Sequence, residues 1–127
     1  MKPERIQRKR TAGWQMPENT VYVGRPSRWG NRFLIGMWVD QKTLETALYQ
    51  EKPHYIEITT YQQAVNLFAQ DLMPYSHRGP NSSLEKFYIS EANLTEIQND
   101  LRGKNLACWC RHGQPCHADW LLEIANG

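Results

Sequence analysis

Short β-branched runs and helical apolar stripes succeed one another along the chain. Thr20-Val21-Tyr22-Val23 has strand propensity and is closed by Gly24. Phe33-Leu34-Ile35-Gly36-Met37-Trp38-Val39 predicts a second strand, weakened or bulged at Gly36. Residues 40–54 are polar and poorly periodic; they read as an insertion with a helical turn around Thr43–Tyr49, followed by a short strand at Tyr55–Ile58. Thr59 or Thr60 caps a helix running to about Met73, because Val65, Phe68 and Leu72 share a face and Pro74 ends the pattern. Pro74–Ser83 is a loop carrying Tyr75, His77, Arg78 and Gly79. Ser90 caps a second helix striped by Leu94, Ile97 and Leu101, with Gly103 at its stop. Asn105–Cys110 is a compact strand and Arg111–Pro115 a turn. Cys116-His117-Ala118-Asp119 then opens a last helix whose core face is Trp120, Leu121, Ile124 and Ala125. Residues 1–19 show no stripe and predict an extended arm with Trp14 and Met16 as anchors.

This order predicts an α/β fold: a small domain at 20–127, in two or three layers, with 3–5 short strands and about three helices, preceded by a basic arm at 1–19. Parallel pairing of the 105–110 strand with the 20–23 strand is expected. At 127 residues, 40% hydrophobic and 22% charged, the chain can bury a core without staples. No apolar run approaches the roughly 18 residues of a membrane span. No apolar segment follows the basic N-terminus, so the expectation is a soluble, cytoplasmic domain.

Charge changes this picture. The net charge of +2 conceals eight bases against two acids in residues 1–32, or +6, and seven bases against eleven acids thereafter, or −4. Such asymmetry suggests an anionic partner for the first quarter: phosphate, nucleotide or nucleic acid. A solvated arm that aids solubility is the plainer reading.

Two segments carry candidate chemistry. In Gly24–Phe33, glycines permit close backbone approach, while Arg25, Arg28 and Arg32 offer forked donors for phosphate or carboxylate. Trp29 could stack on a base, and Ser27, Gly30 and Asn31 complete the candidate ligand loop. The alternative is a structural turn with Trp29 in the core. The loop matches neither the dinucleotide fingerprint nor the Walker pattern.

The second segment is Cys108-Trp109-Cys110-Arg111-His112-Gly113-Gln114-Pro115-Cys116-His117. Three closely spaced cysteines suggest a local site over a disulfide framework. Cys108, Cys110 and Cys116 with His117 or His112 have the ligand types of zinc, although their spacing departs from the usual finger or ribbon. A reactive Cys116 thiolate with a histidine base is the second reading. In the third, Cys108 is core while Cys110, Cys116 and His117 line a pocket without a metal, and the residues alone favour this one. Asp119 and Glu123 share a helix face, where Asp119 complements the helix N-terminus or serves acid/base work.

Val21–Asn31, with the upstream Arg5-Ile6-Gln7-Arg8 and Gly13-Trp14, resembles the opening of a small phage and bacterial family, domain of unknown function 4326. Leu101–Cys110 and Pro115–Asp119 resemble its closing signature. The two blocks cover about half the chain and little of residues 40–90. The family usually has proline where this chain has Arg32, which adds a cation to the loop. The resemblance implies domain boundaries and site positions and supplies no reaction.

The combined expectation is a nucleotide- or nucleoside-binding domain. Arg25, Ser27, Arg28, Trp29, Gly30, Asn31 and Cys110 would bind the ligand. Were the domain an enzyme acting on a glycosidic or phosphate linkage, Cys116, His117 and Asp119 would be catalytic. No cofactor is required by this reading, with zinc on Cys108, Cys110, Cys116 and His117 as the runner-up. The rival is a non-enzymatic nucleic-acid-binding module that uses the basic arm.

Overall fold

The computed structural model describes residues 2–72 and 89–127. Among these residues six short strands and three helices follow in order: β1 (Arg5–Gln7), β2 (Thr20–Tyr22), β3 (Trp38–Asp40), β4 (Thr46–Ala47), β5 (Tyr55–Glu57), α1 (Tyr61–Asp71), α2 (Glu91–Leu101), β6 (Asn105–Cys108) and α3 (His117–Asn126). The chain is thus a small mixed α/β domain with two three-stranded sheets.

The first sheet has the order β1-β6-β2 and is wholly parallel, with Gln7 opposite Cys108 and Tyr22 opposite Ala107. The expected pairing of the 105–110 segment with the 20–23 segment is present. The segment read as an arm contributes an edge strand to this sheet. Its single apolar residue, Ile6, gives too little pattern to announce a strand. All three strands run the same way, so their carboxyl ends lie on one side, where ligand sites of open parallel sheets form.

The second sheet, β4-β3-β5, is antiparallel and corrects two expectations. The strand foreseen over Phe33–Val39 begins only at Trp38, because Gly36 takes φ +93° in a turn and Phe33 is packed into the core. The Thr43–Tyr49 stretch holds the strand β4 and no helix; the turn before it, at residues 40–44, is a single α-turn closed by the Leu44 amide donating to the Asp40 carbonyl at 2.8 Å. Asp40 caps that turn by accepting from the Lys42 and Thr43 amides at 2.8 and 3.2 Å. Leu44, at φ 60°, drops its side chain into the core.

The helices follow the stripes. Thr60 caps α1 in a capping box with Gln63, and Val65 and Phe68 are buried. Ser90 caps α2, burying Ile97 and Leu101. The Leu72 carbonyl accepts from the Ser90 amide and the Asn93 side chain, holding the end of α1 beside the start of α2. The expected Pro74–Ser83 loop, with His77 and Arg78, lies outside the described residues. Buried Ala118, Leu121, Ile124 and Ala125 seat α3 against α1, α2, β6 and β1.

Candidate functional site

The carboxyl ends of β2 and β6, the start of α3 and one side of α1 surround a cleft of about 560 Å³. Gly24 and Arg25 follow β2; Cys108, Trp109 and Cys110 end β6; Gln114 to His117 lead into α3; Tyr61, Ala64 and Val65 form the α1 wall. The front and back quarters of the chain therefore share one concavity. Its volume lies within the range of small-molecule sites.

The arginine loop divides between two places. Arg25 lines the cleft, and its guanidinium makes no hydrogen bond or ion pair among the described residues. Arg28 turns the other way: it pairs with Glu96 and Asp100 on α2 and covers the Trp29 ring at 4.8 Å. Trp29 is buried in the core, so its ring cannot stack on a ligand in this arrangement. Arg28, Trp29, Gly30 and Arg32 border a smaller hollow of about 290 Å³ against α1 and α2. Arg32 meets Asp71 at 3.1 Å, donates to the Leu44 carbonyl at 3.0 Å and lies over Phe33. Arg32 thus braces the loop against α1.

Asn31 reaches the cleft wall while tying its own loop, donating to the Ala64 carbonyl at 3.0 Å and accepting from the Phe33 amide at 2.9 Å. The Ser27 hydroxyl is buried without a hydrogen-bond partner among the described residues. A Cβ at Gly24 would overlap the end of the Tyr22 ring as it now lies, with its hydroxyl donating to the Arg25 carbonyl at 2.7 Å, so a side chain there would displace Tyr22.

On the opposite wall the cysteines converge. The sulfurs of Cys108, Cys110 and Cys116 all lie within 4.8 Å of one another, with Cys108 and Cys116 at 3.4 Å, and all three are free thiols. The Cys108 and Cys116 thiols beside Cys110 hold its pKa well below the usual thiol value, and the Arg5 guanidinium adds to this against the effect of burial. Cys108 is driven upward, first by its hydrogen bond to Cys110 and then by Cys116 and burial.

His117 is 6% exposed, and its Nε2 lies 2.7 Å from the Val23 carbonyl. A carbonyl only accepts, so Nε2 carries the proton; in the neutral ring Nδ1 keeps its lone pair, 3.8 Å from Cys116 Sγ. Phe68 packs on the ring at 4.9 Å. Cys116 occupies the N-cap position of α3 without a side-chain cap hydrogen bond.

Of the residues assigned acid/base or nucleophilic roles, Cys116 and His117 line the cleft. Asp119 does not; it pairs with Arg5 at 3.0 Å. Partial burial raises the Asp119 carboxyl pKa, opposed by Arg5.

Arg5 went unrecognised as a site-building residue within the basic N-terminus. Its side chain is 7% exposed and donates to the Arg111 and Gln114 carbonyls, both at 2.9 Å, so it clamps the turn that brings Cys116 back to Cys108 and Cys110. Arg8 lies over both Tyr22 and Trp109, and Arg10 over Trp109, giving the rim a cationic and aromatic edge.

No helix among the described residues is long and apolar enough to cross a membrane. No curated protein and no solved structure matches the chain. One family model, Domain of unknown function (DUF4326), matches residues 6–127. That span takes in both walls of the cleft, Gly24 and Arg25 as well as Cys108 to His117, and the chain belongs to this family.

Proposed function

We propose that the cleft binds a phosphate-bearing small molecule of the nucleotide or nucleoside class. The observation that carries this reading is the meeting of Arg25 with the start of α3 across one concavity at the carboxyl end of a parallel sheet. A guanidinium suits phosphate in a forked geometry, and first-turn amides add donors and a positive dipole end. Trp109, 41% exposed at the rim, gives a base or sugar an aromatic surface.

The basic, aromatic rim of Arg8, Arg10, Trp109 and Tyr22 supports a second reading, a module that tracks a nucleic-acid backbone. Removing residues 1–12 would delete β1 and the Arg5 clamp, so the readings are separated by point substitution.

Calorimetry with a panel of nucleoside mono- and diphosphates should show one site whose affinity falls about tenfold or more in Arg25→Ala and little in Arg10→Ala. Polymer binding that drops steeply with salt and with Arg10→Ala, without nucleotide binding, would overturn the cleft reading in favour of the module. Absence of both would refute each.

A further inference from the structure

We propose that Cys108, Cys110 and Cys116, with Nδ1 of His117 as fourth donor, form a binding site for one zinc ion on the floor of the cleft. Tetrahedral zinc with sulfur at about 2.3 Å places neighbouring sulfurs roughly 3.8 Å apart, and a sulfur and an imidazole nitrogen slightly closer. The three sulfurs lie within 4.8 Å of one another with one pair at 3.4 Å, so small shifts, the Cys108–Cys116 pair opening slightly, bring them onto one ion.

The histidine is an independent pointer. Its Nε2–H is fixed by the Val23 carbonyl, the outer-shell arrangement that sets the tautomer of a metal-bound imidazole. The bare Nδ1, on a buried ring, faces Cys116 Sγ at 3.8 Å, close to the edge of a shared coordination tetrahedron. It stands outside the range that all three sulfurs span, and the ring must move toward them to bind.

Linear spacing obscures this site. Cys110 is two residues beyond Cys108, and the Arg111–Gln114 turn, clamped by Arg5, returns the chain so that Cys116 and His117 enter from the start of α3. Zinc would take three thiolates, their protons leaving to solvent, and one neutral imidazole; the resulting single negative charge lies near the buried Arg5 guanidinium. The assignment is independent of the ligand reading, because metal uptake is measured with no nucleotide present.

The test uses the full chain, stripped with a chelator under reducing conditions and titrated with Zn²⁺ and with Co²⁺. One equivalent of Zn²⁺ should bind and protect all three thiols from alkylation, and Co²⁺ should give the intense bands of a tetrahedral thiolate site. Cys110→Ser, at a half-buried position, should keep the circular dichroism of the parent and lose about 100-fold or more in zinc affinity. His117→Gln should lose about tenfold or more. No saturable uptake, or three thiols that remain freely alkylated with zinc present, would overturn the site. Unchanged affinity in His117→Gln would overturn the four-donor assignment.

Discussion

Replacing Arg5 by Ala tests how the cleft is held together. The side chain comes from an edge strand yet is 7% exposed, and it makes two hydrogen bonds to carbonyls of the 111–114 turn plus one ion pair. Hydrogen bonds from a charged donor are each worth about 1.5–3 kcal/mol. Two would give about 3–6 kcal/mol, but water can rehydrate the exposed Arg111 carbonyl, which reduces the expected loss to about 2–4 kcal/mol. The pair with Asp119 adds little, since that carboxylate is 56% exposed and screened, at most about 1 kcal/mol. Urea unfolding should therefore show Arg5→Ala destabilised by about 2–4 kcal/mol and Asp119→Ala by under about 1 kcal/mol, with a coupling between them no larger than the latter. Hydrogen exchange in the double-bonded turn should accelerate in Arg5→Ala. A loss below about 0.5 kcal/mol would refute the clamp, because that is the scale of an ordinary surface substitution.

On the proposed reading of the cleft, Arg28→Ala should leave the affinity for a phosphate-bearing ligand unchanged and cost at most about 1 kcal/mol in denaturant, since Arg28 pairs with exposed carboxylates on α2. A large loss of affinity in calorimetry would contradict this placement. Thr60→Ala removes one half of the α1 capping box and should lower stability by about 1 kcal/mol in urea titration. Asp40 has its pKa depressed, first by the Lys42 amide; its stabilising contribution is present above the unfolded value near 3.8 and is lost as pH falls through the lower folded value. The stability gap between the parent and Asp40→Asn should accordingly be open at pH 6 and close in strong acid; a gap that widened on acidification would refute the turn assignment.

Helices were legible because capping residues and stripes agree: Thr60, Ser90 and Gly103 mark real boundaries, and Val65, Phe68, Ile97 and Leu101 are buried as their spacing requires. Strands of two to four residues were less so. Ile6 stands alone among polar neighbours, and its strand exists because β6 offers an unpaired edge, a tertiary fact with no local pattern. The two signature segments share the cleft through Gly24, Arg25 and Asn31 on one side and Cys108 to His117 on the other, but composition could not assign the remaining side chains. Arg25 and Arg28 are three residues apart in the same loop, yet one lines the cleft and the other reaches α2. Trp29 has the residue type of a stacking platform and the burial of a core residue.

The charge asymmetry has an explanation that a linear count could not supply. Arg5, Arg28 and Arg32 of the basic first quarter meet Asp119, Glu96 and Asp100, and Asp71 of the acidic remainder, so part of the excess is neutralised within the fold. Each of these pairs joins a segment near the cleft to a helix: β1 to α3, and the loop after β2 to α2 and α1. Of the five bases that remain, Lys2, Arg8, Lys9, Arg10 and Arg25, the last lies in the cleft and Arg8 and Arg10 stand beside Trp109 at its rim. The local arrangement of those cations, rather than the net excess of the first quarter, determines where an anion would be held, because surface charges farther than about 10 Å apart are screened from one another at ordinary ionic strength. The contacts of Arg5 with the 111–114 turn hold the segment that joins Cys110 to Cys116. If the proposed zinc site forms, loosening the Arg5 clamp should weaken zinc uptake before it disturbs Arg25 on the facing loop, because Arg5 holds the turn between Cys110 and Cys116.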